Sequence, residues 1–197
     1  MIDMPDLGAV ELEPRDEREG PWAVRASFYE ERKLATVLAC LGQPRYRHGW
    51  DAACGVGELA AHLATRTERL LATGSTAQAV QLTAVRCQEA AQVVVREWEL
   101  PVAPPGLPEG FDLVVLSEVA YHLSDPQRAA LVAMLDAVTA PDAEIVSVHW
   151  RYRPHDGWLS GEDVQSELVD RLTALGWRHR VQHDDEDFVL DDLVRPR

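Results

Sequence analysis

Two stretches of this 197-residue chain combine residue types that serve ligand chemistry. The first is WDAACGVGELAAHLA, residues 50 to 64, where Asp51 ends a candidate strand and Ala53, Gly55 and Gly57 lead into a helical pattern. Small residues at such a turn let a ligand lie against bare backbone, and the free amides of the following helix start favour an anionic group such as a carboxylate. Taken alone, this Gly-x-Gly is equally a tight strand-to-helix turn with no ligand. The second is FDLVVLSEVAYHLSD, residues 111 to 125, where an apolar strand ends in Ser117 and Glu118, with Val119, Ala120, Tyr121 and His122 beyond it as a lip. Singly, Tyr121 reads as packing and His122 as a surface histidine; their place after a buried strand points to a site, because open α/β sheets bind ligands at the carboxyl edge of their strands.

The elements that must position these residues alternate between short apolar runs and longer helical patterns, the signature of βα units in a mostly parallel sheet. Strands are expected at residues 47–52, 69–73, 92–96, 111–116 and 143–150, and helices at 58–67, 76–91 and 126–139. An earlier helix from Ser27 carries an apolar stripe of Phe28, Leu34, Val37, Leu38 and Leu41, stopped by Gly42 and Pro44. Ser160 caps a further helix over 161–175. Runs at 177–183 and 188–194, joined by Asp184, Asp185, Glu186 and Asp187, read as a hairpin that makes the last strand antiparallel. Four consecutive acids lack the alternate spacing and glycine of a calcium loop, so they read as a solvated turn and no metal is assigned. The Pro-rich stretch 101–110 reads as a loop. Residues 1–20 read as a loosely ordered extension and 21–197 as a single domain, with order beginning near Trp22.

Composition narrows the function further. Hydrophobic residues make up 46% and charged residues 26%, no window has the length of a membrane span, and the start lacks the order of a secretory signal, so a cytoplasmic protein is expected. Nineteen Lys and Arg against 33 Asp and Glu give a net charge of −14, a surface that repels phosphate backbones and argues against nucleic acid as partner. Cys40, Cys54 and Cys87 have neither disulfide-framework nor zinc spacing and read as reduced thiols.

With these motifs in this order, the chain resembles the class I S-adenosylmethionine-dependent methyltransferases, in the branch related to the nodulation protein S N-methyltransferases. The segments that carry the resemblance are PW at 21–22, SFYEERK at 27–33, DAACGVG at 51–57, FDLVVLSEVAYHL at 111–123, VHWR at 148–151 and DDEDFVLDDL at 184–193. The resemblance implies a three-layer Rossmann-like fold whose mostly parallel seven-stranded sheet has an antiparallel last strand. It implies that Asp51, Ala53, Gly55 and Gly57 line the methionine end of the cofactor, and that Glu97 and Trp98 flank its adenine. Ser117, Glu118 and Val119 would border the sulfonium, Trp22 and Lys33 would close the pocket, and Tyr121, His122, His149 and Trp150 would face the acceptor.

The sequence departs from that pattern at Ala53, which replaces a glycine, and at Gly74, where the family has the acid that grips the ribose hydroxyls. Loss of a charge-assisted acceptor costs on the order of 2 kcal/mol, and Ser75 or Thr76 offers only a hydroxyl in compensation. The resulting expectation is methyl transfer from S-adenosylmethionine, leaving S-adenosylhomocysteine, to an amine or hydroxyl of a small or amino-sugar-like acceptor. His122, His149 and Tyr121 are the catalytic candidates, with His122 first as proton acceptor. The alternative is a catalytically degenerate methyltransferase fold serving as a binding or partner protein. A nicotinamide oxidoreductase is disfavoured, since it too would want the missing acid and no catalytic Tyr/Lys pair is apparent.

Overall fold

The computed structural model describes residues 28–104 and 110–196. The expectations for residues 1–20, for the PW pair with Trp22, for Ser27 and for part of the 101–110 loop lie outside them. Seven strands form one sheet in the order β3-β2-β1-β4-β5-β7-β6, with β1 Tyr46–Asp51, β2 Thr67–Gly74, β3 Val93–Glu97, β4 Phe111–Ser117, β5 Thr139–Trp150, β6 Arg178–Asp184 and β7 Phe188–Val194. The pairs β1–β2, β1–β4, β2–β3 and β4–β5 are parallel, whereas β7 runs antiparallel to both β5 and β6. The strand order reverses between β1 and β4, so their carboxyl ends diverge and leave a crevice there.

Helices α1 Phe28–Cys40, α2 Glu58–Ala64, α3 Ala77–Arg86, α4 Asp125–Val138 and α5 Gly161–Ala174 complete the layers. Trp50, Phe111, Leu131, Leu135, Val164 and Leu168 belong to the core on the α4–α5 face, and Tyr29, Val37, Leu63, Leu113, Val146 and Phe188 to the core on the opposite face. Helix starts are set by local chemistry. Thr76 accepts from the Ala79 amide at 3.2 Å, Ser160 from the Asp163 amide at 3.1 Å, and Ser124 forms a capping box with Gln127. The helices expected at 58–67 and 76–91 are shorter in the structure, the first because Thr67 already pairs with Tyr46 as β2 begins. Among the described residues no helix is long and apolar enough to cross a membrane.

The stripe of α1 differs from expectation. Phe28 is 74% exposed, while Tyr29, Lys33 and Val37 are buried, because Tyr29 packs edge-on against Phe188 and sends its hydroxyl inward. The far end of α1 is held by a polar cluster at the amino-terminal edge of β5. There Glu144 accepts from the Gly42 amide at 3.0 Å and from the Tyr46 hydroxyl at 2.7 Å, and Arg180 donates to Glu144 at 2.8 Å and to Asp192 at 2.6 Å. Burial, reinforced by the Glu144 charge, pushes Asp192 up to about 7 despite Arg180. Arg180→Met leaves Glu144 and Asp192 buried without their cation and is expected to destabilise the protein by about 3 kcal/mol. Raised carboxylate pKa values mean tighter proton binding in the folded state, so the loss, followed by urea unfolding, is expected to be larger near about pH 8 than near about pH 5.5.

Candidate functional site

At the crevice between β1 and β4 lies a cleft of about 340 Å³. Its floor is the turn after β1, Ala53 to Val56. One side is formed by Gly74, Ser75 and Thr76 after β2, the other by Ser117, Glu118 and Val119 after β4, and Glu30, Lys33, Leu34 and Val37 of α1 form a wall. The two segments singled out from sequence thus meet at one cleft, with Lys33, expected to close the pocket, in its helical wall. Glu30, one turn before Lys33 and Leu34 at helical spacing, is the wall residue that sequence reading did not select.

The two glycines of the turn have different roles. Gly55 has φ +51°, and a Cβ there would meet nothing within 4 Å, so only its missing side chain keeps the cleft floor open. Gly57 is also left-handed at φ +82°, and a Cβ there would stand 2.8 Å from the Thr83 Cα of α3. It does not line the cleft; it lets α2 approach α3. At Gly74 an added Cβ would stand 3.1 Å from the Ala79 Cβ and 3.3 Å from the Cys54 sulfur, so the end of β2 is packed for glycine.

Beneath the turn, Asp51 is fully buried, and among the described residues neither carboxylate oxygen has a hydrogen-bond partner of normal geometry. Burial pushes its pKa up to about 7, opposed by the Ala53 amide. Glu118 is the opposite case. Its Oε1 accepts from Lys33 at 2.7 Å and Tyr29 at 3.1 Å, and its Oε2 accepts from the Trp150 amide at 2.8 Å and from the Tyr121 hydroxyl. Burial alone would raise it; the Lys33 charge and these donors overcome that and hold it at about 2. Burial likewise opposes the Lys33 ammonium, but Glu118 and Glu30 keep its pKa above the ordinary value.

This network corrects part of the expected acceptor face. Tyr121 is buried, with its hydroxyl committed to Glu118, and burial together with that carboxylate pushes its pKa up. His149 is wholly buried: Nε2 accepts from the Ala120 amide at 3.0 Å, so Nδ1 carries the proton and points it at Gln165 Oε1, 3.2 Å away. Burial lowers its pKa to about 4. Its lone pair is used internally, in support of the turn Ala120–His122. His122 has its Nδ1 3.3 Å from Asp156 Oδ1, its buried Nε2 lacks a partner among the described residues, and burial lowers its pKa. Asp156, which sequence reading did not select, sits on the loop after β5, tied to the turn by the bond from the Trp158 amide to the Tyr121 carbonyl at 2.7 Å. Glu97 and Trp98 do not line the cleft: Glu97 is exposed, and Trp98 donates its amide to Gly74 and its indole N–H to the Val102 carbonyl.

A doubly wound sheet ending in an antiparallel strand, with a glycine turn opening on a cleft at its switch point, defines the Rossmann-like methyltransferase class. Within it, the chain belongs to the nodulation protein S family, whose model matches residues 6–196. It is 27% identical over 172 residues to nodulation protein S of Bradyrhizobium diazoefficiens, covering 82% of this chain and 78% of that protein. A Pseudomonas syringae structure assigned as a methyltransferase superposes with a TM-score of 0.75 at 32% identity, covering 86% of this chain and 100% of that one. The N-methyltransferase NodS of Bradyrhizobium japonicum WM9 in complex with S-adenosyl-L-homocysteine shares the fold, with a TM-score of 0.75 at 19% identity over 92% of this chain and 94% of that one.

The glycine geometry gives a stability contrast. Gly55→Ala is expected to lose about 1 kcal/mol, the strain of a left-handed alanine. Gly57→Ala adds a clash with Thr83 and is expected to lose about 3 kcal/mol, measured by urea unfolding.

Proposed function

We propose that this chain transfers the methyl group of S-adenosylmethionine to the amino group of a small, amino-sugar-like acceptor. The observation that supports this best is the open floor at Gly55 above a buried carboxylate that has no side-chain partner among the described residues. A zwitterionic amino acid end fits that arrangement, with the turn amides for its carboxylate and Asp51 for its ammonium. Ser75 and Thr76 supply hydroxyls on the ribose side, where Gly74 leaves no acid, and Val119 with Leu34 and Val37 offers apolar lining. When bound, the cofactor supplies a methyl group already activated by its sulfonium, so positioning dominates the chemistry.

The residues of the chain then have separable tasks. Glu118 fixes α1, the Ala120–His122 turn and the end of β5 around the cleft. His122, neutral near pH 7 and oriented by Asp156, is our candidate for accepting the proton that an ammonium acceptor must lose before its lone pair can attack. Tyr152 and Trp158, exposed at 52% and 62% on the loop that carries Asp156, offer flat apolar faces for an acceptor ring. Three free cysteines and the acidic surface fit a cytoplasmic enzyme that does not bind nucleic acid. Residues 21–197 are taken as its one domain.

Gly74 favours a second reading, a degenerate fold that binds a partner without catalysis. Calorimetry with S-adenosylhomocysteine separates the two: saturable heat by millimolar ligand is expected, and its absence overturns the enzymatic reading. Because Asp51 starts near neutrality and an ammonium partner favours its ionised form, binding is expected to release a proton and to tighten from about pH 6 to about pH 8. Asp51→Asn is expected to remove that pH slope while raising the stability of the unliganded protein at about pH 8 by roughly 1 to 2 kcal/mol, since it deletes a buried charge. His122→Ala is expected to abolish methylation of amino-sugar probes while leaving S-adenosylhomocysteine affinity within about twofold.

A further inference from the structure

The acids at 184–187, expected to form a solvated turn between β6 and β7, are engaged by two arginines. Asp185 Oδ1 and Asp187 Oδ2 each accept from Nη2 of Arg32 at 2.7 Å. The Arg32 guanidinium also stands 5.2 Å from the Phe28 ring centre and 5.8 Å from that of Phe188. The turn is itself braced: the Asp187 amide donates to Asp185 Oδ1 at 2.9 Å, and Arg151 donates to the Asp185 carbonyl at 2.9 Å while pairing with Asp184 and Glu162. Arg32 and Lys33 are neighbours on α1 that reach opposite ways, Lys33 to Glu118 at the cleft and Arg32 to the turn. The first turns of α1, which form the cleft wall, are therefore gripped from both sides by charges.

We propose that Asp185 and Asp187 are positioning residues for the cofactor cleft, acting through Arg32 to hold α1 as its wall. The ligand in this proposal rests on the reading given above; the hold on α1 does not. A partly exposed ion pair adds little to global stability, but displacement of one helix is a local event in which a small change alters the closed population. Apparent affinity then scales with the closed fraction. S-adenosylhomocysteine is a zwitterion without net charge, so salt dependence of its binding reports mainly on the protein's own ion pairs.

The test compares wild type with Asp185→Asn/Asp187→Asn, which keeps the shape of the turn, and with Glu186→Gln/Glu68→Gln, which removes two acids that do not touch Arg32. Calorimetry with S-adenosylhomocysteine and hydrogen exchange of residues 28–40 are the readouts. The paired Asn variant is expected to bind about three- to tenfold more weakly, to exchange faster in α1, and to lose most of the salt dependence of the wild type between about 0.05 and 0.5 M. Its melting temperature is expected to stay nearly unchanged, the Gln control to match wild type, and Arg32→Lys to recover affinity to within about threefold. Wild-type affinity and exchange in the Asn variant, or an equal loss in the Gln control, overturns the proposal. If wild type gives no heat with S-adenosylhomocysteine, the cofactor reading falls and α1 exchange alone decides, faster exchange upholding the clamp and unchanged exchange refuting it.

Discussion

The carboxylate of Glu118 stands where three parts of the chain meet, and its four acceptor positions are filled by donors from α1, from the turn after β4 and from the end of β5. Its backbone sits at φ +56°, a conformation a glutamate adopts only when the surroundings impose it. The compensation is visible: the Glu118 amide bonds to the Val148 carbonyl at 3.0 Å, and every side-chain lone pair has a partner. A buried charge is tolerated on these terms because each unmet donor or acceptor in a low dielectric would be costly. The width of the cleft follows from this one group, since it spaces the α1 wall from the strand ends.

Against that saturated carboxylate, Asp51 has no side-chain partner among the described residues. Two acids lie at neighbouring strand ends of the same sheet, both buried, one held at about 2 by a cation and donors, the other pushed to about 7 by burial. The environment, not the residue type, separates them. An uncompensated buried carboxyl weakens the empty protein, and its place under an open glycine turn gives that loss a purpose once a cationic group enters.

The sheet was legible because its strands are continuous apolar runs between helical patterns, and the hairpin because acids interrupt two such runs. The glycine turn and the Ser117–Glu118 strand end were legible as a site for the same reason: both follow buried strands, and a doubly wound sheet brings such ends together. The contact of His149 with a backbone amide was not legible, because a histidine at a strand end looks the same in sequence whatever its ring meets. Gly57 was taken as part of the floor because the sequence shows a missing side chain but not which neighbour requires its absence. Asp156 and the Arg32 contacts were out of reach, since they join positions 34 and more than 150 residues apart in the chain.

By itself the sequence determined the order of elements, the parallel sheet with its reversed last strand, the glycine turn and the acidic character of the surface, because these follow from local periodicity, backbone freedom and composition. Only the tertiary structure decided which carboxylate is paired and which histidine spends its lone pair on a backbone amide. Those outcomes depend on burial and on partners distant in the chain, and no local pattern encodes either.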